Sequence, residues 1–144
     1  MRHVNPSLDA IATLLRQART VAVVGYSPDP RRPSHRIAHA LAGVGYRVIA
    51  VRPDLSEALG GAAYPRLTDI ADVGATIDIV DVFRAPAYVP AIVDECLALG
   101  LKTLWLQDGV VHEGAAERGR SGGMTVVMDR CIGRDYRALV GAVR

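Results

Sequence analysis

The sequence predicts an α/β fold of three layers, in which a mostly parallel sheet of five to six strands is covered by helices on both faces. Apolar residues recur alternately at helical spacing and in short, β-branched runs without charges. These runs are apolar at every position, which is typical of strands that are covered on both sides. Short connections between them favour right-handed crossovers and a parallel sheet.

Five short apolar runs are the predicted strands. Their bounding residues include glycines and prolines, and the least regular stretch, 53–70, holds a further candidate edge strand around 62–64. The predicted strands are 20–24, 46–51, 77–83, 102–107 and 125–128.

Helices are predicted before, between and after these strands. Ser7 is a suitable N-cap for the first helix. At the start of the second, Pro33 fixes φ and Ser34 supplies a hydroxyl cap. The predicted helices lie at about 7–18, from 33 to Gly43 or Gly45, and at about 86–99, 112–121 and 134–143.

Length and composition fit one Rossmann-like domain over residues 1–144. Half of the residues are hydrophobic and 22% are charged, which excludes a disordered chain. A chain of 144 residues leaves no room for a binding domain and a separate catalytic domain.

Charge and hydropathy limit the partners. The net charge is +2 and the basic side chains are spread along the chain, which disfavours a nucleic-acid ligand. Without a signal-like N-terminus or an apolar run of about 18 residues, we expect a cytoplasmic protein without membrane contact. Cys96 and Cys131 form neither a disulfide framework nor a zinc pattern. The oligomeric state and any protein partner stay open.

The segment after the first strand is the strongest candidate for ligand binding, because ligands of parallel sheets lie outside the carboxyl ends of the strands. It reads GYSPDPRRPS at 25–34, and Gly25 allows the backbone to turn and approach a ligand. The N–H groups of the following helix, with Arg31 and Arg32, favour an anion. The alternative is a connecting loop before a well-capped helix.

The end of the second strand narrows the class of ligand. The loop at 25–34 lacks the second and third glycines of a dinucleotide fingerprint, and no acidic residue follows 46–51 to bind a ribose hydroxyl. Instead the chain has Val51, Arg52 and Pro53. Arg52 suits a phosphorylated ribose, as in NADP or the 3′-phosphate of coenzyme A, although a solvated arginine explains the spacing equally well.

Two further strand ends carry candidate residues. Phe83 and Arg84 place an aromatic face beside a guanidinium, which can support an adenine or a pantetheine arm. The alternative is a phenylalanine that packs beneath a helix. Gln107 and Gly109 belong to a polar turn that either lines a cleft or caps one.

Taken together, these segments resemble the small bacterial and archaeal coenzyme A-binding domain proteins, which are single-domain relatives of the nucleotide-binding half of succinyl-CoA synthetase α subunits. R-P-S after a G-x-S loop, D-V-F-R, W-L-Q and M-D-R-C are specific in combination. The matching stretches keep the family's order: VAVVGYSPDPRRPSHRIAHAL (21–41), GYRVIAVRP (45–53), IDIVDVFR (77–84), KTLWLQDGV (102–110) and VVMDRCI (126–132).

The resemblance implies coenzyme A as the ligand, with its adenosine part over residues 25–27 and the end of the second strand. The chain departs from the family at Arg52, where Asn or Ser is usual, at Asp54, where Lys is frequent, and at Asp108, where an apolar residue is usual. The assigned binding residues are Gly25, Tyr26, Ser27, Arg32, Pro33, Ser34, Val51, Arg52, Pro53, Phe83, Arg84, Gln107 and Gly109.

No catalytic constellation is found in the sequence. His35 and His39 share a helix face at i, i+4 but have no third metal ligand, and Ser27 lacks the second glycine of a nucleophile elbow. Asp78 and Asp81 fall on opposite faces of one strand. We therefore predict a coenzyme A or acyl-CoA binding module that is not an enzyme by itself. The alternatives are an NADP-dependent oxidoreductase and a non-catalytic subunit of a larger acyl-CoA ligase.

Cys131 is the one reactive-looking group. It follows Arg130 at a strand end and a helix start, a setting typical of reactive thiols. We hypothesise that it forms a mixed disulfide with the thiol of coenzyme A; the alternative is an inert, buried thiol.

Overall fold

The computed structural model describes residues 2–72 and 77–141. Helices and strands alternate along most of the chain. In chain order the elements are α1 (Leu8–Gln17), β1 (Thr20–Val24), α2 (Pro33–Gly43), β2 (Arg47–Val51), β3 (Glu57–Ala58), β4 (Gly61–Ala62), α3 (Leu67–Asp72), β5 (Ile79–Val82), α4 (Val89–Leu99), β6 (Thr103–Leu106), α5 (Glu113–Ser121), β7 (Thr125–Met128) and α6 (Ile132–Leu139).

Five strands form one parallel sheet in the order β2-β1-β5-β6-β7. One apolar core fills the space between the sheet and α3, α4 and α5, and a second core fills the space between the sheet and α1, α2 and α6. This arrangement confirms the predicted three-layer α/β, Rossmann-like fold. Among the described residues, no helix is long and apolar enough to span a membrane.

The predicted strands all form, and the observed bounds differ from the predicted ones by at most two residues at an end. The candidate edge strand around 62–64 is only partly present. β3 and β4 make a small antiparallel hairpin, after which Tyr64 forms a single parallel bridge with Val51. The sheet therefore ends beyond β2 in one bridge instead of a sixth full strand.

The helix predictions need three corrections. Ser7 caps α1 as expected, but Ser34 does not cap α2: Arg32 is the N-cap, and the Ser34 hydroxyl accepts the N–H of Ser27 instead. α6 begins at Ile132, two residues earlier than predicted, and residues 142 and 143 of that prediction lie outside the described residues. α3 was not predicted, since six residues are too few to show a helical period.

The strand order places a crevice between β1 and β5. β1 leads to β2 on one side of the sheet, whereas the later strands are added on the other side, beyond β5. The loops after β1 and β5 consequently leave their strands on opposite sides. A crevice at this reversal is where ligands of open α/β sheets bind.

Candidate ligand-binding cleft

An open cleft of about 510 Å³ lies at the carboxyl ends of β1, β2 and β5. A second compartment of about 340 Å³ adjoins it, and the two share Gly25 and Arg52. The first is lined by Gly25, Ser27, Pro28, Asp29, Arg32, Pro33, Ser34, Arg52 and Phe83, and the second by Gly25, Tyr26, Arg52, Pro53, Asp54 and Arg84.

Gly25 forms the turn at the floor of the cleft. Its φ is +88°, and its N–H donates to the carbonyl of Val51 at 3.0 Å. A Cβ at this position would lie 3.0 Å from Cδ of Arg84 and 3.2 Å from the carbonyl carbon of Phe83. Glycine is therefore required both by the backbone conformation and by the close approach of the loop after β5.

The loop between β1 and α2 is held by short-range hydrogen bonds. The Ser27 N–H donates to the Ser34 hydroxyl at 2.9 Å, and the Asp29 N–H donates to the Ser27 hydroxyl at 3.1 Å. Pro33 occupies the first turn of α2, whose N-terminal end lies at the cleft. The partial positive charge of this helix end favours an anion in the cleft.

Three arginines contribute formal charge to the cleft, and each has different surroundings. Arg52 donates to Asp54 at 2.7 Å and to the carbonyl of Tyr26 at 3.3 Å. Arg84 stacks on the ring of Tyr88, with its guanidinium carbon 3.8 Å from the ring centre. Within the described residues, the side chain of Arg32 makes no ion pair or hydrogen bond.

Two carboxylates at the cleft, those of Asp29 and Asp54, are kept ionised by hydrogen bonds from arginines. The hydrogen bond from Arg52 lowers the pKa of Asp54, and hydrogen bonds from Arg31 lower the pKa of Asp29. Both acids are therefore negatively charged at neutral pH and offset part of the arginine charge.

Most of the residues predicted from the sequence line the cleft, but three of them do not, and a fourth, Tyr26, also belongs to a buried cluster. The side chain of Val51 is buried in the core, and only its carbonyl serves the cleft by holding Gly25. Tyr26 lines the second compartment, yet its ring is buried and its hydroxyl meets His35 and His39.

Gln107 and Gly109 line neither compartment. The buried Gln107 accepts the N–H of Ile132 at 3.0 Å and so caps α6. Gly109, whose φ is +79°, donates its N–H to Asp129 at 2.7 Å. The polar groups of Gln107 and Gly109 therefore bond to other residues of this edge, Ile132 and Asp129, and not to the cleft.

Sequence reasoning missed Tyr88, whose exposed ring supports Arg84 at the rim of the cleft. The signal was present: Pro86 starts a single 3₁₀ turn at Pro86–Tyr88, which brings Tyr88 back beside Arg84. Pro28 and Asp29 also line the cleft, although they are predicted from the sequence only as loop residues, with no part in binding.

Other candidate groups lie outside the cleft lining. The His35 and His39 rings stack with their centres 4.0 Å apart. The described residues contain no group of three or more His, Cys, Asp or Glu side chains that can hold a metal ion. Cys131 is half-buried at the N-cap of α6. Asp78 precedes β5 and accepts two backbone N–H groups, so that it and Asp81 form no carboxylate pair.

The parallel sheet and the cleft at its reversal point define a Rossmann-like α/β domain with a candidate ligand site at the carboxyl edge. Within that class the chain belongs to the CoA binding domain family, whose model matches residues 19–137. It is 38% identical over 128 residues to the uncharacterised protein YneT of Bacillus subtilis, covering 89% of this chain and 93% of YneT.

Solved structures resemble the chain over most of its length. A protein from Thermus thermophilus is 35% identical with a TM-score of 0.87, covering 93% of this chain and 99% of the other. A protein from Pyrococcus horikoshii is 29% identical with a TM-score of 0.89, covering 98% and 100%. The dinucleotide-forming acetyl-coenzyme A synthetase 1 of Candidatus Korarchaeum cryptofilum, at 24% identity and a TM-score of 0.67, shares the fold over 81% of this chain but only 28% of its own.

Proposed function

We propose that the chain binds coenzyme A or an acyl-CoA in the cleft between the loops after β1 and β5. One observation carries the proposal: three guanidinium groups and the N-terminal end of α2 surround a tight turn whose positive φ favours glycine. Membership of the CoA binding domain family supports the same ligand.

The residues present fit the chemistry of coenzyme A, which carries a diphosphate and a ribose 3′-phosphate. The α2 end and Arg32 offer donors and charge to a diphosphate without breaking an existing side-chain contact. Arg52 suits the 3′-phosphate, because a guanidinium binds phosphate through two parallel N–H donors. The guanidinium of Arg84, which lies over the ring of Tyr88, suits a base or another planar group.

We further propose that this module has no catalytic centre of its own. Each serine of the cleft is already an acceptor: Ser27 for the N–H of Asp29, and Ser34 for the N–H of Ser27. Within the described residues, neither hydroxyl makes a hydrogen bond to a histidine or a carboxylate that would activate it. Reactive chemistry would then come from a partner protein, as a non-catalytic ligase subunit requires.

Isothermal calorimetry with three ligands tests the proposal. We expect coenzyme A to bind at least about tenfold tighter than dephospho-CoA, a difference of about 1.4 kcal/mol, and NADP⁺ to bind more weakly than either. In Arg52→Gln, affinity for coenzyme A should fall to that for dephospho-CoA. Arg47→Gln, which removes an equal charge at the opposite end of β2, should leave both affinities unchanged.

The outcomes separate the candidate functions. Absence of coenzyme A binding would overturn the proposal, and equal affinities for the two ligands in the wild type would remove Arg52 from the site. Tight binding of NADP⁺ alone would favour an oxidoreductase. Turnover of an acyl-CoA by the isolated chain would overturn the proposal that it lacks a catalytic centre.

A further inference from the structure

A cluster of three titratable side chains lies directly behind the ligand loop. The Tyr26 hydroxyl is 2.9 Å from Nε2 of His39 and 3.3 Å from Nδ1 of His35. The same His35 nitrogen is 3.1 Å from the carbonyl oxygen of Ser27. Tyr26 is only 3% exposed, so that its hydroxyl depends on these partners.

The positions of the hydrogens follow from the partners. A carbonyl only accepts, so Nδ1 of His35 carries a hydrogen and donates to Ser27. That nitrogen then has no lone pair for the hydroxyl of Tyr26, so Nε2 of His39 is the acceptor that the cluster offers this buried hydroxyl. The hydroxyl donates to His39 in the neutral form of the ring that leaves Nε2 bare.

This chain of hydrogen bonds ends on the backbone that forms the cleft. The carbonyl of Tyr26 accepts from Arg52, and the N–H of Ser27 donates to Ser34. The side chain of Tyr26 and the main chain of Tyr26 and Ser27 thus connect His39 with two residues that line the cleft. These residues are Arg52 and Ser34.

We infer that neutral His39 holds the ligand loop in its binding conformation, and that protonation of His39 releases the loop and weakens ligand binding. Protonation turns Nε2 into a donor, which leaves the hydroxyl hydrogen of Tyr26 without an acceptor in the cluster. It also places a positive charge against the stacked ring of His35, whose centre is 4.0 Å away. The inference rests on the proposed function for its ligand.

The surroundings of His39 agree with a neutral ring. The pKa of His39 lies below its ordinary value, mainly because burial removes water from the ring and to a smaller extent because His35 is close. Asp29 faces His35 from the loop. α2 also packs on β2 and α6, where the charged Asp135 and Arg134 pair with Arg130 and Asp108 instead of the histidines.

The sign of the pH dependence separates this device from simple attraction. A protonated histidine near a phosphate site raises anion affinity by charge alone. Release of the loop predicts the opposite, a loss of affinity on acidification. We expect the Kd of coenzyme A to rise roughly threefold more in the wild type than in His39→Gln between pH 7.5 and 5.5.

His39→Gln is the matched control because its amide oxygen can accept the Tyr26 hydroxyl and does not titrate. Comparison at each pH cancels the ionisation of coenzyme A itself. Tyr26→Phe should bind weakly at both pH values, with the same profile as His39→Gln. Coincident profiles for wild type and His39→Gln, or a relative gain of wild-type affinity in acid, would overturn the inference.

A second readout needs no ligand. In ¹⁵N NMR spectra of the free protein, the amide resonances of Ser27 and Tyr26 should shift with the His39 titration and remain still in His39→Gln. If coenzyme A fails to bind at every pH while these resonances titrate, the proposed function fails and the loop device stands. If they do not titrate, the device itself fails.

Discussion

The two halves of the carboxyl edge use similar residues in opposite ways. After β6 and β7, polar side chains satisfy one another: Arg134 pairs with Asp108 at 2.8 and 2.9 Å, and Arg130 pairs with Asp135 at 2.6 and 2.9 Å. After β1, β2 and β5, Arg32 has no ion pair or hydrogen bond within the described residues, and Arg52 contacts the exposed Asp54 and the carbonyl of Tyr26.

The difference shows where binding capacity remains. A guanidinium already held by two carboxylate oxygens has few donors left for a phosphate, whereas an open one gains charge-assisted hydrogen bonds on binding. Charge alone does not mark the site, since both halves contain arginines. The candidate site is the half in which a guanidinium, that of Arg32, has no ion pair or hydrogen bond within the described residues.

Asp81 lies in β5, at the boundary between the halves, and its substitution should have the largest effect on stability. It is fully buried and neither carboxylate oxygen has a hydrogen-bond partner in the described part of the chain, so burial raises its pKa well above the ordinary value. Between the unfolded pKa of about 4 and the folded one, only the unfolded state loses the proton. The free energy of unfolding attributable to Asp81 therefore falls by about 1.4 kcal/mol per pH unit as pH rises through this window.

Asp81→Asn tests this sign, because the amide keeps the shape and cannot ionise. Urea unfolding from pH 4 to 8 should show the variant gaining stability over the wild type as pH rises, while other titrating groups cancel in the difference. A difference that stays constant with pH would show that Asp81 is ionised or paired in the folded protein.

We call the half of the edge after β6 and β7, whose polar side chains pair with one another, the saturated half. It provides the next largest effect on stability. Asp135 is 3% exposed and its partner Arg130 is partly buried, so Asp135→Ala should cost about 2 kcal/mol of stability. Asp108→Ala removes a carboxylate with the same two-bond geometry from an exposed pair, whose arginine, Arg134, lies next to Asp135 on α6, and should cost less than about 1 kcal/mol. Equal losses of stability in thermal unfolding would contradict the distinction by burial.

The fold was predictable because its signals are local. Continuous apolar runs such as 20–24 and 125–128 identify doubly covered strands, and Ser7 and Pro33 mark helix starts where the structure has them. α3 escaped prediction because it has only six residues, and its identity depends on packing Leu67 and Ile70 into the core.

Within the candidate site, the sequence predicts a residue's role most directly where the backbone determines that role. Gly25 and Pro33 were assigned through φ, which the sequence itself constrains. Gln107 and Gly109 are assigned to the cleft through the family resemblance alone, because a polar turn at a strand end looks the same in the sequence whether its donors face a ligand or a neighbouring helix. Their partners, Ile132 and Asp129, are 25 and 20 residues away in the chain.

The smallest expected effect concerns the exposed acid that holds Arg52. Asp54 lies 2.7 Å from the guanidinium and competes with any phosphate for the same donors. Asp54→Asn should therefore raise affinity for coenzyme A by about threefold in calorimetry, a modest change because exposed ion pairs are weak. Asp108→Asn, an acid paired with an arginine in the saturated half, should leave that affinity unchanged.

Asp54→Asn, alone and combined with Arg52→Gln, decides whether Asp54 competes with the ligand for Arg52 or positions Arg52 for the ligand. If Asp54 only competes for Arg52, its neutralisation helps binding, and the gain disappears in Arg52→Gln, where no guanidinium is left to release. If Asp54 instead orients Arg52 toward the ligand, affinity falls in Asp54→Asn. The carbonyl of Tyr26 also holds Arg52 at 3.3 Å, so the guanidinium keeps one anchor at the cleft when Asp54 is neutral. Gain of affinity is therefore the expected outcome.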